Sequence, residues 1–182
     1  LAYIYSDVFR SSTIRVSNTG VESEGMDEFD LFDDPRLTVM GLLYEAHDGL
    51  LTKLEPSWKT SGLSGLDLNA LLRLSRSPER RLRMTDLATQ TSLSTSGVTR
   101  LVDRLSAAGL VERVLDPADR RSARAVLTDA GVRRLEQVLP GYLDAIQRWF
   151  TGLLTPEQLD ALTVALRIVR DATNPDATAR TD

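Results

Sequence analysis

Four apolar residues at helical spacing, Val98, Leu101, Val102 and Leu105, with Gly109 close behind, constrain this chain more than any other feature. They recur at i, i+3, i+4 and i+7, so they line one side of a helix, predicted over Thr95–Ala107, and that side has to be buried. The opposite side carries Ser96, Arg100, Asp103 and Ala107, flanked by Thr99 and Arg104. Small polar residues near the helix start permit close approach to a groove, and Arg can reach a guanine edge or a phosphate. Upstream, Thr85–Thr89 reads as a shorter helix with Thr85 as its cap and Leu87–Ala88 inward. Gln90–Ser94 then forms a polar turn around Leu93. Downstream, Ala107-Ala108-Gly109 is a glycine stop. The segments Leu110–Leu115 and Ala123–Leu127 alternate like strands. Between them, Asp116–Ser122 (DPADRRS) is a turn rich in Asp and Arg. An amphipathic helix alone says little. Two helices, a turn and a two-strand hairpin in this order describe a helix-turn-helix with a β wing, a unit that sits on duplex DNA.

The stretches LSTSGVTRLVDRLSAAGLVER (93–113) and DPADRRSARAVLTDAG (116–131) together resemble the MarR-type winged-helix regulators of bacteria, over roughly residues 60–150. The resemblance implies a mainly α fold with a small β wing, a winged helix-turn-helix plus long dimerisation helices. It implies that Asp119 orients Arg121, that Arg121 enters the minor groove, and that Ser96, Thr99, Arg100 and Arg104 lie in or beside the major groove. Thr95 at the start of that helix and Arg120, in an Arg pair suited to a minor-groove or phosphate contact, are the further DNA-binding candidates. The Arg80-Arg81-x-Arg83 cluster ahead of the first helix is placed to meet phosphates through Arg83. The expected function is that of a homodimeric, sequence-specific transcriptional regulator, usually a repressor in families of this appearance, released by a small aromatic or anionic effector. Two recognition helices about one turn apart, ~34 Å, require a near-palindromic operator. His47, Trp58, Asn69 and Arg113 are the candidate pocket residues. A urate-responsive branch carries an Asp at the start of the second helix; here the frame offers Asp67 or Asn69, which leaves that assignment open. Without cysteine, the peroxide-sensing branch is excluded.

The rest of the chain fits around this unit. With 182 residues it has room for one domain and a proper core. The expected organisation is an arm over 1–34 and a winged-helix domain over 35–174, with a DNA-binding lobe at 62–128 between dimerisation helices at 35–61 and 129–174. A tail follows at 175–182. In the arm, Val21–Asp34 is strongly acidic. Two readings stay open there: an extended start, or an arm that packs across a partner protomer through Phe29, Leu31 and Phe32. Pro35 suits a first helical turn, and Val39, Leu42, Leu43, Ala46, Leu50, Leu51 and Leu54 continue an apolar pattern towards Trp58, with Pro56 near its end. Ser64 and Asp67 form a capping-box pattern for a helix with Leu66, Ala70, Leu71 and Leu74 inward and Pro78 as its stop. Thr128 caps a long helix through about Phe150, bent at Pro140-Gly141. Thr155-Pro156-Glu157-Gln158 caps the last one, whose apolar face is Leu159, Leu162, Ala165, Leu166 and Val169.

Charge and composition remove other classes. Net charge is −4, yet Arg76–Arg124 holds ten Arg against six acidic residues, so the basic excess sits on the winged unit. No apolar run approaches a membrane span and no signal-peptide pattern opens the chain, so a cytoplasmic protein without a membrane partner is expected. The lone histidine, His47, makes a poor metal site, and no cofactor is expected. An enzyme is not expected either: there is no thiol, no histidine-based triad and no phosphate-binding glycine loop. The alternative function is a winged-helix protein-interaction module without sequence-specific DNA binding.

Overall fold

A computed structural model describes residues 32–115 and 123–175. The chain divides into two compact units, residues 1–43 and 44–182. Helix α1 (Pro35–Leu54) begins in the first. Asp34 opens it, accepting the Arg36 backbone N–H at 2.8 Å and the Arg36 guanidinium. Those bonds hold its carboxyl down to about 2. Leu37, Val39, Met40, Leu42 and Leu43 of this stretch are exposed, and so is Phe32. Phe29 and Leu31, the other expected anchors, lie outside the described residues.

The second unit continues with α2 (Pro56–Lys59), α3 (Gly65–Ser75), β1 (Arg81–Arg83), α4 (Met84–Gln90) and α5 (Thr95–Ala107). After these come β2 (Val111–Leu115), β3 (Ala123–Leu127), α6 (Asp129–Trp149) and α7 (Pro156–Thr173). Pro56 separates α1 from α2, since its ring cannot continue the hydrogen-bond ladder. The Ser64 capping box is formed in full: Ser64 Oγ accepts the Asp67 N–H, and Asp67 Oδ2 accepts the Ser64 N–H at 2.8 Å. Thr128 caps α6 and Thr155, with Gln158, caps α7. α6 runs through Pro140 as one helix.

The core lies where α3, α4, α5, β2 and α6 meet. Leu71, Leu74, Leu87, Val98, Val102, Leu105, Val111 and Val138 are its largest fully buried side chains. All four residues of the recognition-helix stripe are buried. Each such side chain contributes about 1.5–3 kcal/mol of burial, which fixes α5 in its socket.

Four details depart from the sequence reading. Thr85 is not the cap of α4: Arg83 holds that position, with no side-chain capping bond, and Thr85 lies in the first turn. Leu66 is exposed and Leu68 takes the inward place, because the helix starts at Gly65 and its buried face runs Leu68, Leu71, Leu74. A third strand exists: β1 pairs antiparallel with β3, Arg81 opposite Val126 and Arg83 opposite Arg124, giving the order β1-β3-β2. Its Arg-Leu-Arg sequence is too short to read as a strand alone, although Leu82 between two arginines is buried. Finally, β2 buries only Val111; Val114 and Leu115 are exposed towards the end of the wing.

Candidate nucleic-acid interface and cavity

The turn between α4 and α5 is built by backbone geometry. Leu93 N–H donates to Ala88 O at 2.9 Å and Ser92 N–H to Thr89 O at 3.1 Å, the paired bonds of a Schellman ending. Ser92 accordingly has φ +55, a left-handed conformation that a non-glycine residue adopts at a cost. Leu93 packs partly buried against the core. Thr91 Oγ1 donates to Leu87 O at 2.6 Å and stays buried. Ser94 Oγ then accepts the Gly97 N–H at 3.1 Å and starts α5.

α5 ends by the same device. Leu110 N–H donates to Leu105 O and Gly109 N–H to Ser106 O, both at 2.9 Å, with Gly109 at φ +70. The wing is held to this ending: Thr128 Oγ1 donates to Gly109 O at 2.7 Å and Thr128 N–H to Leu110 O at 3.1 Å. β2 and β3 pair from Val111↔Leu127 out to Leu115↔Ala123. Residues 116–122 connect them and lie outside the described residues, so Asp119, Arg120 and Arg121 are not placed.

On the solvent side of α5, Thr95, Ser96 and Arg100 are exposed and Thr99 is half-buried. Thr99 Oγ1 donates back to Thr95 O at 2.9 Å, and the Ser96 and Ser94 hydroxyls sit 3.2 Å apart. Among the described residues Arg100 has no hydrogen-bond or ion-pair partner. Arg104 differs: its Nη2 and Nε donate to Asp67 Oδ1 at 2.6 and 3.1 Å. Burial alone raises the Asp67 carboxyl, but the bonds from Ser64 and Arg104 outweigh it and leave it below the usual aspartate range. Arg83, exposed at the end of β1, starts α4 across the sheet from Arg124.

A cavity of about 840 Å³ opens beside α3. His47, Leu51 and Thr52 of α1, Glu55 and Trp58, residues Ser64–Leu66, Leu68, Asn69 and Leu72, and Tyr142 of α6 line it. Trp58 meets Tyr142 edge to face, ring centres 5.7 Å apart. Arg73 donates from Nε to Asn69 Oδ1 at 2.8 Å, and burial lowers the pKa of its guanidinium. Arg134 of α6 reaches Ser61 O at 2.7 Å and fastens the loop before α3. The structure thus brings together His47, Trp58 and Asn69 of the four expected pocket residues. Arg113 does not line the cavity: it lies on β2 opposite Ala125, with Asp103 of α5 at 4.0 Å. Tyr142 and the α3 start were missed, since nothing in sequence spacing joins them to α1. The same holds for Asp67 and Arg104, 37 positions apart.

Two short helices joined by a tight turn, the second with a buried stripe and a polar outer side, and a three-stranded antiparallel wing define a winged helix-turn-helix protein. A model of the MarR family matches residues 61–122. The fold is similar to the crystal structure of Sco3205, a MarR family transcriptional regulator from Streptomyces coelicolor in complex with DNA. The two are 34% identical, over 75% of this chain and 89% of that one, with a TM-score of 0.70. BpsR of Bordetella bronchiseptica, whose DNA binding is regulated by 6-hydroxynicotinic acid, is 26% identical over 73% of this chain and 93% of its own, TM-score 0.65. The Bacillus subtilis transcriptional repressor MdtR is 26% identical over 78% of this chain and 88% of its own length. Against another regulator of that organism, YkoM, the match spans 60% of the relative's length. The chain belongs to the MarR family of transcriptional regulators, which are DNA-binding proteins and not enzymes. Among the described residues no helix is long and apolar enough to cross a membrane.

Proposed function

We propose that the protein is a homodimeric, sequence-specific repressor that leaves a near-palindromic operator when a small aromatic or anionic molecule fills the cavity beside α3. The observation that carries this reading is the division of α5. Its apolar stripe is fully buried, while Thr95, Ser96, Thr99 and Arg100 form a narrow outer side with one long cation at its middle. In this reading that side enters the major groove, and the N-terminus of α5 and Arg83 meet phosphates. Arg121, oriented by Asp119 and accompanied by Arg120, reaches the minor groove from the wing.

Dimerisation is supported by apolar surface that one protomer leaves open. No residue of α1 or α7 is buried, and Val164, Leu166, Ile168 and Val169 of α7 are all exposed. A second copy related by a two-fold axis would cover such faces. Effector binding is supported by the cavity itself, which offers two aromatic walls with Asn69 and His47 at polar positions. The response of BpsR to an aromatic acid is a precedent for the ligand class. α3 forms the cavity wall and packs against α5, so a ligand there would shift the recognition helices and their spacing.

The test is fluorescence anisotropy on the DNA flanking the protein's own gene against a scrambled duplex, at two salt concentrations. The expected result is a clear preference for the native sequence, weakened in Arg100→Ala and Arg121→Ala proteins that remain folded. If a random-sequence selection yields no preferred site, the protein-interaction reading replaces this one. Adding an aromatic carboxylic acid such as 6-hydroxynicotinic acid should weaken binding, and Trp58→Ala should abolish the response.

A further inference from the structure

The geometry points to Arg104 as a positioning residue that locks the recognition helix to α3, which leaves Arg100 as the one arginine of α5 that reads bases. This rests on the reading that α5 enters a DNA groove, and it separates two arginines that lie one helical turn apart.

Arg100 and Arg104 lie one turn apart on the same side of α5. Bidentate recognition of guanine or phosphate needs an open guanidinium edge. Arg104 has already committed one: Nε and Nη2 both donate to Asp67 Oδ1. The carboxylate is 7% exposed, and its other oxygen accepts the Ser64 N–H at 2.8 Å and the Ser64 hydroxyl at 2.7 Å. Four donor contacts thus converge on a buried carboxylate, two of them from Arg104. Turning Arg104 towards DNA would strand Asp67 half-paired in the interior, which is expensive. The carboxylate held beside the guanidinium also offsets the charge that would attract a phosphate. Asp67 belongs to the first turn of α3 and Arg104 to the last turns of α5, so their bond fixes the angle at which α5 leaves its socket. Arg100 carries no such tie among the described residues and is exposed.

The test measures operator affinity, preference over a scrambled duplex, and salt dependence for Arg100→Ala, Arg104→Gln, Arg104→Lys and Asp67→Asn. Arg100→Ala should reduce the preference for operator about ten- to a hundredfold. Arg104→Gln and Asp67→Asn should each weaken operator binding several-fold with an unchanged salt slope, and the double variant should be no worse than either single one. Arg104→Lys, which keeps the charge but lacks the fork, should behave like Arg104→Gln. The opposite pattern would overturn the assignment. If Arg104 contacts phosphate, Arg104→Gln lowers the salt slope by about 0.9 per contact, Arg104→Lys binds nearly like wild type, and Asp67→Asn tightens binding by freeing the guanidinium. A wild-type protein with no preferred DNA site would sink the functional reading and this inference together. A clear operator preference with the phosphate-contact pattern would sink this inference alone.

Discussion

Two residues with left-handed backbones end the two helices of the reading unit, and only one of them is glycine. Gly109, at φ +70, was legible in the sequence because glycine after an apolar stripe marks a helix stop. Ser92, at φ +55, was not, since a serine among Gln, Thr and Ser reads as an ordinary polar turn. The same hydrogen-bond pair closes both helices, so Ser92 bears strain that glycine would relieve. Ser92→Gly should therefore stabilise the protein by about 0.5–1 kcal/mol, read as an upward shift of the urea midpoint at constant slope. Gly131 makes the opposite case. A Cβ there would stand 2.3 Å from the Leu110 carbonyl oxygen and 2.5 Å from Leu127 Cδ1, and the oxygen is backbone that cannot step aside. Gly131→Ala should cost about 1–3 kcal/mol by forcing α6 away from the end of the recognition helix. A thermal melt unchanged from wild type would show that the start of α6 yields more easily than this contact implies.

The elements divide into those whose periodicity names them and those whose partner is remote. α5 was read with its bounds and buried stripe because four apolar residues share one side. The caps Ser64, Thr128 and Thr155 were legible for a similar reason: a capping bond spans three residues and leaves its mark locally. β1 was not legible, because its three residues are a strand only by virtue of pairing with β3, more than 40 positions later. The family resemblance puts Arg104 in or beside the groove, and spacing shows a side of a helix but not the Asp67 carboxylate that meets it. Asp67 gives that contact a pH signature. Its folded pKa lies below the ordinary 3.8, so its share of stability is fully present above that value and is lost as pH falls through the lower folded value. On going from about pH 5 to about pH 3, the urea midpoint of wild type should drop more than that of Asp67→Asn. Equal drops in the two proteins would mean that the carboxylate gains nothing from Arg104 and Ser64.

At the scale of the whole molecule, long apolar helices flank a small reading unit, and their exposed faces support the proposed dimer. Ile168 is 66% exposed and Val169 55%, on a helix with no buried residue, so burying them accounts for their presence in a way that solvent contact does not. The cavity was only partly foreseen: His47, Trp58 and Asn69 could be nominated, but Tyr142 joins them through the tertiary fold alone. A two-fold dimer would also bring two basic winged units together on one DNA face, with the acidic excess of the remaining chain distributed elsewhere. Linking two half-site readers makes the second contact intramolecular, so affinity for a palindrome exceeds that of either unit by orders of magnitude. Ile168→Glu combined with Val169→Glu places charge in the proposed interface while leaving the core around Leu71 and Val102 untouched. Light scattering should then show a monomer with unchanged helical signal. Its operator affinity should fall at least a hundredfold, and its preference for a full palindrome over a half-site should vanish. A variant that remains dimeric would move the two-fold interface away from this side of α7. A monomer that still binds the palindrome like wild type would show that one recognition helix and one wing supply the affinity on their own.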